Sequence, residues 1–289
     1  MRFKAVPYFV HDDPTKSHMQ RIEPNLGLRP GMTWDDVRAD LQRLNAQDEG
    51  VSYKLLYLAR HGQGVHNLAE LKYGKEAWER YWARRTTDGE LVWGPDPDLT
   101  CLGQAQARDV HKAWRTALRQ PDAQGRAPER VPDPAMIPPL PQVLCSSPLR
   151  RSLHTLFLTW RGLLPQRPPQ PVHVREHLRE VIGKNTCDQR STKSEILECV
   201  QQDVFTIVFD DTFTEHDHLW TPNRETDDAM RTRIHHALED IWQHEAKEAT
   251  VFSLTCHGGV MHRIFEITSH HDIEPVVGAF LPILIRATP

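Results

Sequence analysis

The 289-residue chain has little that would tie it to a membrane, a metal or a nucleic acid. Its longest apolar runs, such as Phe280 to Ile285, fall far short of the ~18 residues that a membrane helix needs. Met1 to Asp13 contains charges and no apolar core of the kind that marks a secretory signal. Its five cysteines (Cys101, Cys145, Cys187, Cys199 and Cys256) are scattered, odd in number and contain no CxxC pair. That pattern excludes a zinc finger and points to a reduced, cytoplasmic protein. Lys and Arg total 35 against 39 Asp and Glu, and no basic run occurs, so a nucleic-acid partner is not expected. No internal repeat is visible.

Proline is abundant, at 22 residues, of which 11 fall between Pro121 and Pro171. Proline lacks an amide hydrogen and disfavours helix before it, so both clusters, Pro121–Pro141 and Pro165–Pro171, are expected as loops or connectors. Between the breakers the segments alternate. Tyr53–Ala59, Gln142–Ser146, Thr250–Cys256 and Phe280–Arg286 read as buried strands. Leu102–Arg119, with Thr100 as N-cap, Leu149–Leu163, Asp227–His244 and Gly259–Ile267 carry helical periodicity. The alternation predicts one α/β domain over residues 1–289, a central, mostly parallel sheet with helices on both faces. An N-terminal extension (1–50) and a proline-rich insertion (121–141) are expected as additions to it.

In such sheets ligands bind beyond the carboxyl ends of the strands. Arg60-His61-Gly62 follows the first strand, Ser147 to Arg151 the second and His257-Gly258-Gly259 the third. Two histidines with arginines make a positive site whose guanidinium forks match phosphate oxygens. Gly62, Gly258 and Gly259 are expected to let the backbone approach an anion. A neutral imidazole can attack phosphorus, and an acid must then protonate the leaving oxygen.

The ordered set resembles the histidine phosphatase, phosphoglycerate mutase-like superfamily. Its parts are Arg60-His61-Gly62, then Leu99-Thr100-x-Leu102-Gly103-x-x-Gln106-Ala107, then Ser147-Pro148-Leu149-Arg150-Arg151 with Thr155, then His257-Gly258-Gly259. Arg60 to Asn67 and Cys187-Asp188-Gln189-Arg190 are similar to a fungal branch of that family. The resemblance implies a three-layer α/β sandwich. It implies His61 as the nucleophile, Arg60, Arg151 and His257 around the phosphoryl oxygens, and Asn67 as a further pocket residue. Leu178-Arg179-Glu180 fits the family's acid position, with Glu176 as the competitor. Arg150 is expected to point elsewhere.

The implied activity is hydrolysis of a small-molecule phosphomonoester without metal or organic cofactor. Val181-Ile182-Gly183 after the acid departs from the mutases' pattern. A lyase or isomerase using the same anion pocket, or a silent binding module, would share these residues. Glu215-His216-Asp217-His218 reads as a rim loop rather than a metal site. Trp78, Tyr81 and Trp82 read as packing or lid residues. Arg190 reads either as a substrate contact or as a loop anchor. Loops near 72–98, 183–200 and 212–226 are expected to set specificity.

Overall fold

The computed structural model describes residues 1–16, 20–47, 50–120, 133–165, 167–199, 204–243 and 248–289. In chain order the elements are β1 (Arg2–Val6), α1 (Trp34–Gln47), β2 (Ser52–Arg60), α2 (Val65–Tyr73), α3 (Lys75–Arg80) and α4 (Cys101–Ala117). Then come β3 (Val143–Ser146), α5 (Arg150–Trp160), β4 (Gln170–Val174), α6 (Lys193–Glu198), β5 (Phe205–Phe209), α7 (Asp227–Gln243), β6 (Val251–Cys256), α8 (Gly258–Ile267) and β7 (Phe280–Thr288).

The strands form a seven-stranded sheet in the order β1-β7-β2-β6-β3-β4-β5. β2, β6, β3, β4 and β5 run parallel, while β7 is antiparallel to both of its neighbours. Alternating side chains of β2 explain the layers. Leu55, Tyr57 and Ala59 pack with α1, α4 and α5 on one face, and Leu56 and Leu58 pack with α7 and α8 on the other. The α/β class, the sheet and the helices over both faces agree with the sequence pattern. Thr100 caps α4 by accepting from the Gly103 amide at 3.1 Å. Among the described residues no helix is long and apolar enough to cross a membrane.

One part differs from the sequence reading. Pro171 lies inside β4, not in a loop. The reason is its place at the start of the strand. The Gln170 amide donates toward β5, to Val204 O, so position 171 faces β3, whose registered partners begin only at Val172. A missing amide there breaks no ladder bond. Of the proline-rich insertion, residues 121–132 lie outside the described residues. The part that follows docks on the sheet, where the Tyr57 hydroxyl donates to Pro139 O at 2.8 Å.

The described residues among 1–50 contribute to both core layers. β1 pairs with β7, and Phe3 meets Trp242 of α7 edge-on at 5.1 Å. On the opposite face α1 buries Trp34, Val37 and Leu41. Trp34 is fully buried and packs near Phe9 and Tyr57. Trp34→Ala should therefore lower the free energy of unfolding by about 3–5 kcal/mol. Urea denaturation of the full chain reads this, and a loss below about 1 kcal/mol would show that α1 adds nothing to the core.

Candidate active site

The carboxyl ends of β2, β6 and β3 are stitched together just where the chemistry-bearing residues begin. The His61 amide donates to Cys256 O at 3.0 Å, and the Ser147 amide donates to Thr255 O at 3.0 Å. His61, His257 and Arg151 are thereby drawn to one buried point. The rings of His61 and His257 lie 5.1 Å apart, edge to face.

His61 Nδ1 lies 2.7 Å from Gly62 O. A carbonyl can only accept, so Nδ1 carries the proton and Nε2 presents a lone pair. Arg151 Nε donates to that Nε2 at 3.3 Å. Burial, then the charges of Arg151 and Arg60, hold the His61 pKa well below its ordinary value, so the ring is neutral.

Arg151 is completely buried at the second position of α5. Besides His61 it donates to Cys187 O at 2.7 Å and to Asp188 Oδ1 at 2.8 Å. Thr155, one turn on, donates to Arg151 O and accepts from the Gly62 amide, so it clamps the histidine loop onto α5. Arg150 points away, into an ion pair with Asp98 at 2.9 Å. Arg60 donates to Pro275 O at 2.7 Å and lies 3.8 Å from Glu274, while its buried Nε has no partner among the described residues. His257 Nε2 lies 2.8 Å from Ser147 Oγ and 3.3 Å from Ser152 Oγ, with Nδ1 buried and unpartnered among the described residues. Burial and Arg151 depress its pKa as well.

The two candidate acids part company. Glu180 accepts from the amides of Val181 (2.9 Å) and Gly259 (3.2 Å), which places its carboxylate on the N-terminus of α8. Its charge also acts on Arg60. Glu176 instead binds Arg190 at 2.5 Å and Arg179 at 3.2 Å, away from the histidines. Arg190 is a loop anchor. Beyond Glu176 it donates to the carbonyls of Ser191, Thr214, Glu215 and His216.

The glycines call for a correction. They make room for protein groups rather than for an approaching anion. A Cβ on Gly62 would lie 2.3 Å from Gly103 O, and its amide is already bonded to Thr155. A Cβ on Gly258 would press on the Arg60 guanidinium at 3.2 Å, and one on Gly259 would lie 2.2 Å from Glu180 Oε1. Asn67 closes the turn into α2, where Oδ1 accepts from the Gly64 amide at 3.0 Å. That leaves its Nδ2 for any further contact.

Other candidates fall outside the pocket. In the 215–218 segment Asp217 is pinned by Arg179 at 2.6 Å, and His216 and His218 are exposed. Among the described residues no cluster of three or more His, Cys, Asp or Glu side chains could hold a metal. Trp78 is buried, Trp82 stacks on Tyr73 at 4.1 Å, and Tyr81 is exposed.

Sequence reasoning missed Asp188 and Ser147 as working parts. Both stand in segments it had marked, but only the fold shows that Asp188 faces Arg151 and Ser147 faces His257. Burial pushes the Asp188 carboxyl up to about 6, against the opposing pull of Arg151.

No family model matches the chain. A probable phosphoglycerate mutase of Arthroderma benhamiae is 36% identical over 258 residues, 88% of this chain and 70% of that protein. The chain belongs to the phosphoglycerate mutase-like, histidine phosphatase family. A probable phosphoglycerate mutase of Saccharomyces cerevisiae, PMU1, is 34% identical over 236 residues, 76% of this chain and 74% of that protein. Among solved structures, the phosphoglycerate mutase of Bacillus anthracis is 15% identical with a TM-score of 0.48, covering 83% of this chain and 93% of its own.

The gathering of His61, His257 and Arg151 at one buried point makes anion binding the natural test of Asp188. An anion beside Arg151 makes ionisation of Asp188 less favourable, so tungstate should bind more tightly as pH falls through about 6. Asp188→Asn should lose one proton of that dependence. Calorimetric titration across this range checks it, and an unchanged slope would show that Asp188 does not titrate there.

Proposed function

We propose that this protein is a metal-independent phosphatase that hydrolyses a small-molecule phosphomonoester through a phosphohistidine on His61. One observation carries the reading. A neutral imidazole presents the Nε2 lone pair to the side chain of a buried arginine, with Arg60 and His257 close by and buried ring and guanidinium nitrogens still unpartnered.

In the first half-reaction His61 Nε2 attacks phosphorus as the bond to the leaving oxygen breaks. The Glu180 carboxyl gives its proton to that oxygen, and the alcohol departs. Arg60, Arg151 and His257 hold the non-bridging oxygens, with Asn67 Nδ2 available from α2. In the second half the Glu180 carboxylate takes a proton from water, the water oxygen attacks phosphorus, and the bond to Nε2 breaks. Phosphate leaves, and His61 returns to the neutral form that the Gly62 carbonyl selects. The guanidiniums supply the positive charge that a metal supplies elsewhere. A mutase shares the first half and returns the phosphoryl group to a second hydroxyl. The departure at Val181-Ile182-Gly183 from the mutases' acid loop favours water as the acceptor.

The test is phosphate release from a panel of phosphomonoesters, with and without EDTA. Release should survive EDTA and disappear in His61→Ala. Glu180→Gln should lower kcat about 10²–10⁴-fold for alkyl phosphates, and much less for p-nitrophenyl phosphate, whose leaving group needs no proton. A folded protein that binds tungstate but releases no phosphate from any ester would overturn hydrolysis in favour of another reaction in the same pocket. Equal Glu180→Gln losses for both leaving groups would remove Glu180 from the acid role.

A further inference from the structure

His66 stands in the wall of this pocket, and the reaction as described gives it no task. It lies in the first turn of α2, its ring 5.5 Å from that of His61. Only 8% of the residue is exposed. Its Nδ1 is buried without a partner, and among the described residues neither ring nitrogen has a hydrogen bond. Nε2 is not among the buried atoms, so it is open to a group from outside the protein.

The surroundings say what would satisfy it. Besides burial, the charges of Arg151 and Arg60 act on His66, as they act on His61. A ring N–H that shares its space with two guanidiniums finds its acceptor in an anion's oxygen. The backbone is shaped to bring the ring there. A Cβ on Gly64 would lie 2.6 Å from His66 Nδ1 and 3.5 Å from Arg151 Cδ, so any side chain at 64 would push the imidazole out of its place. The φ of Gly64 is −87°, which every residue tolerates, so the glycine answers to the ring and not to the turn.

We propose that His66 is a further ligand of the phosphoryl group, donating Nε2–H to one of its oxygens. Gly64 is then the residue that admits it. The inference rests on the phosphatase reading only in taking the bound anion to be a phosphoryl group. Nδ1, turned against Gly64, keeps its lone pair, and Nε2 carries the proton.

The experiment titrates the full-length protein with tungstate and with inorganic phosphate, and in parallel measures ester hydrolysis. His66→Ala should weaken anion binding about ten- to a hundredfold. His66→Gln, whose side-chain nitrogen reaches to about the place of Nε2, should recover most of that loss. Gly64→Ala, which leaves His66 intact but displaces it, should weaken binding as His66→Ala does. Melting curves establish that each variant is folded. Should His66→Ala fail to fold, the Gln and Gly64 variants decide.

A folded His66→Ala that binds tungstate within about twofold of the wild type overturns the proposal. So does His66→Gln binding as weakly as His66→Ala, because the loss would then come from packing. The two readings fail separately. Loss of tungstate binding in the variants, with no ester hydrolysed by the wild type, sinks the phosphatase and leaves His66 an anion ligand. Hydrolysis by the wild type with undiminished binding in the variants sinks His66 alone. A wild type that binds neither anion sinks both.

Discussion

A guanidinium sealed from water must find partners, and the site is organised by the partners that Arg151 takes. They come from two segments far apart in the chain: His61 after β2, and Cys187 and Asp188 in the loop beyond Glu180. One side chain therefore fixes the neighbourhood of His61 and ties a distant loop to it. The same charge keeps His61 neutral. Fold and chemistry make one demand here. The cation must be buried to act on the pocket, and once buried it must be ligated by the loop that closes the pocket.

That loop is held by a second layer of arginine contacts. Arg179, fully buried, donates to Asp188 O at 2.7 Å and to both oxygens of Asp217. Arg190 gathers Glu176 and the carbonyls of the 214–216 turn. These pairs explain why so many charged residues sit inside this protein. Each removes a neighbour's unmet hydrogen-bonding need, and the chain of contacts ends at the carboxylate that orients Arg151. Asp188 is balanced between burial, which favours its neutral form, and Arg151, which favours its charge.

Close approach without a Cβ is the other recurring device. Gly62 and Gly103 meet backbone to backbone, which locks the histidine loop against the start of α4. Gly258 and Gly259 leave space for the Arg60 guanidinium and the Glu180 carboxylate at the start of α8. The helix N-terminus then stabilises the carboxylate through amide donors. The glycines of the motif thus make room for protein groups, backbone at Gly62 and side chains at Gly258 and Gly259.

Short-range pattern was enough to reveal the strand-helix alternation, the buried character of Tyr53–Ala59 and of all but the first residue of Thr250–Cys256, and the residues that follow each strand. It was enough because periodicity, capping and breakers act within a few residues. It did not bring out β1, α1 or β5, which are short or weakly patterned and are stabilised by Phe3, Trp34 and Phe205 packing on distant partners. Nor does local pattern choose between Glu176 and Glu180, four residues apart and chemically alike. Tertiary structure separates them by placing Arg190 beside the first and the amide of Gly259 beside the second. The contacts that assign roles, Arg151 to Asp188 and His257 to Ser147, join residues 37 and 110 positions apart. They exist only once the sheet has set its strand order, because hydrogen bonds and burial depend on proximity in space, to which local sequence is blind.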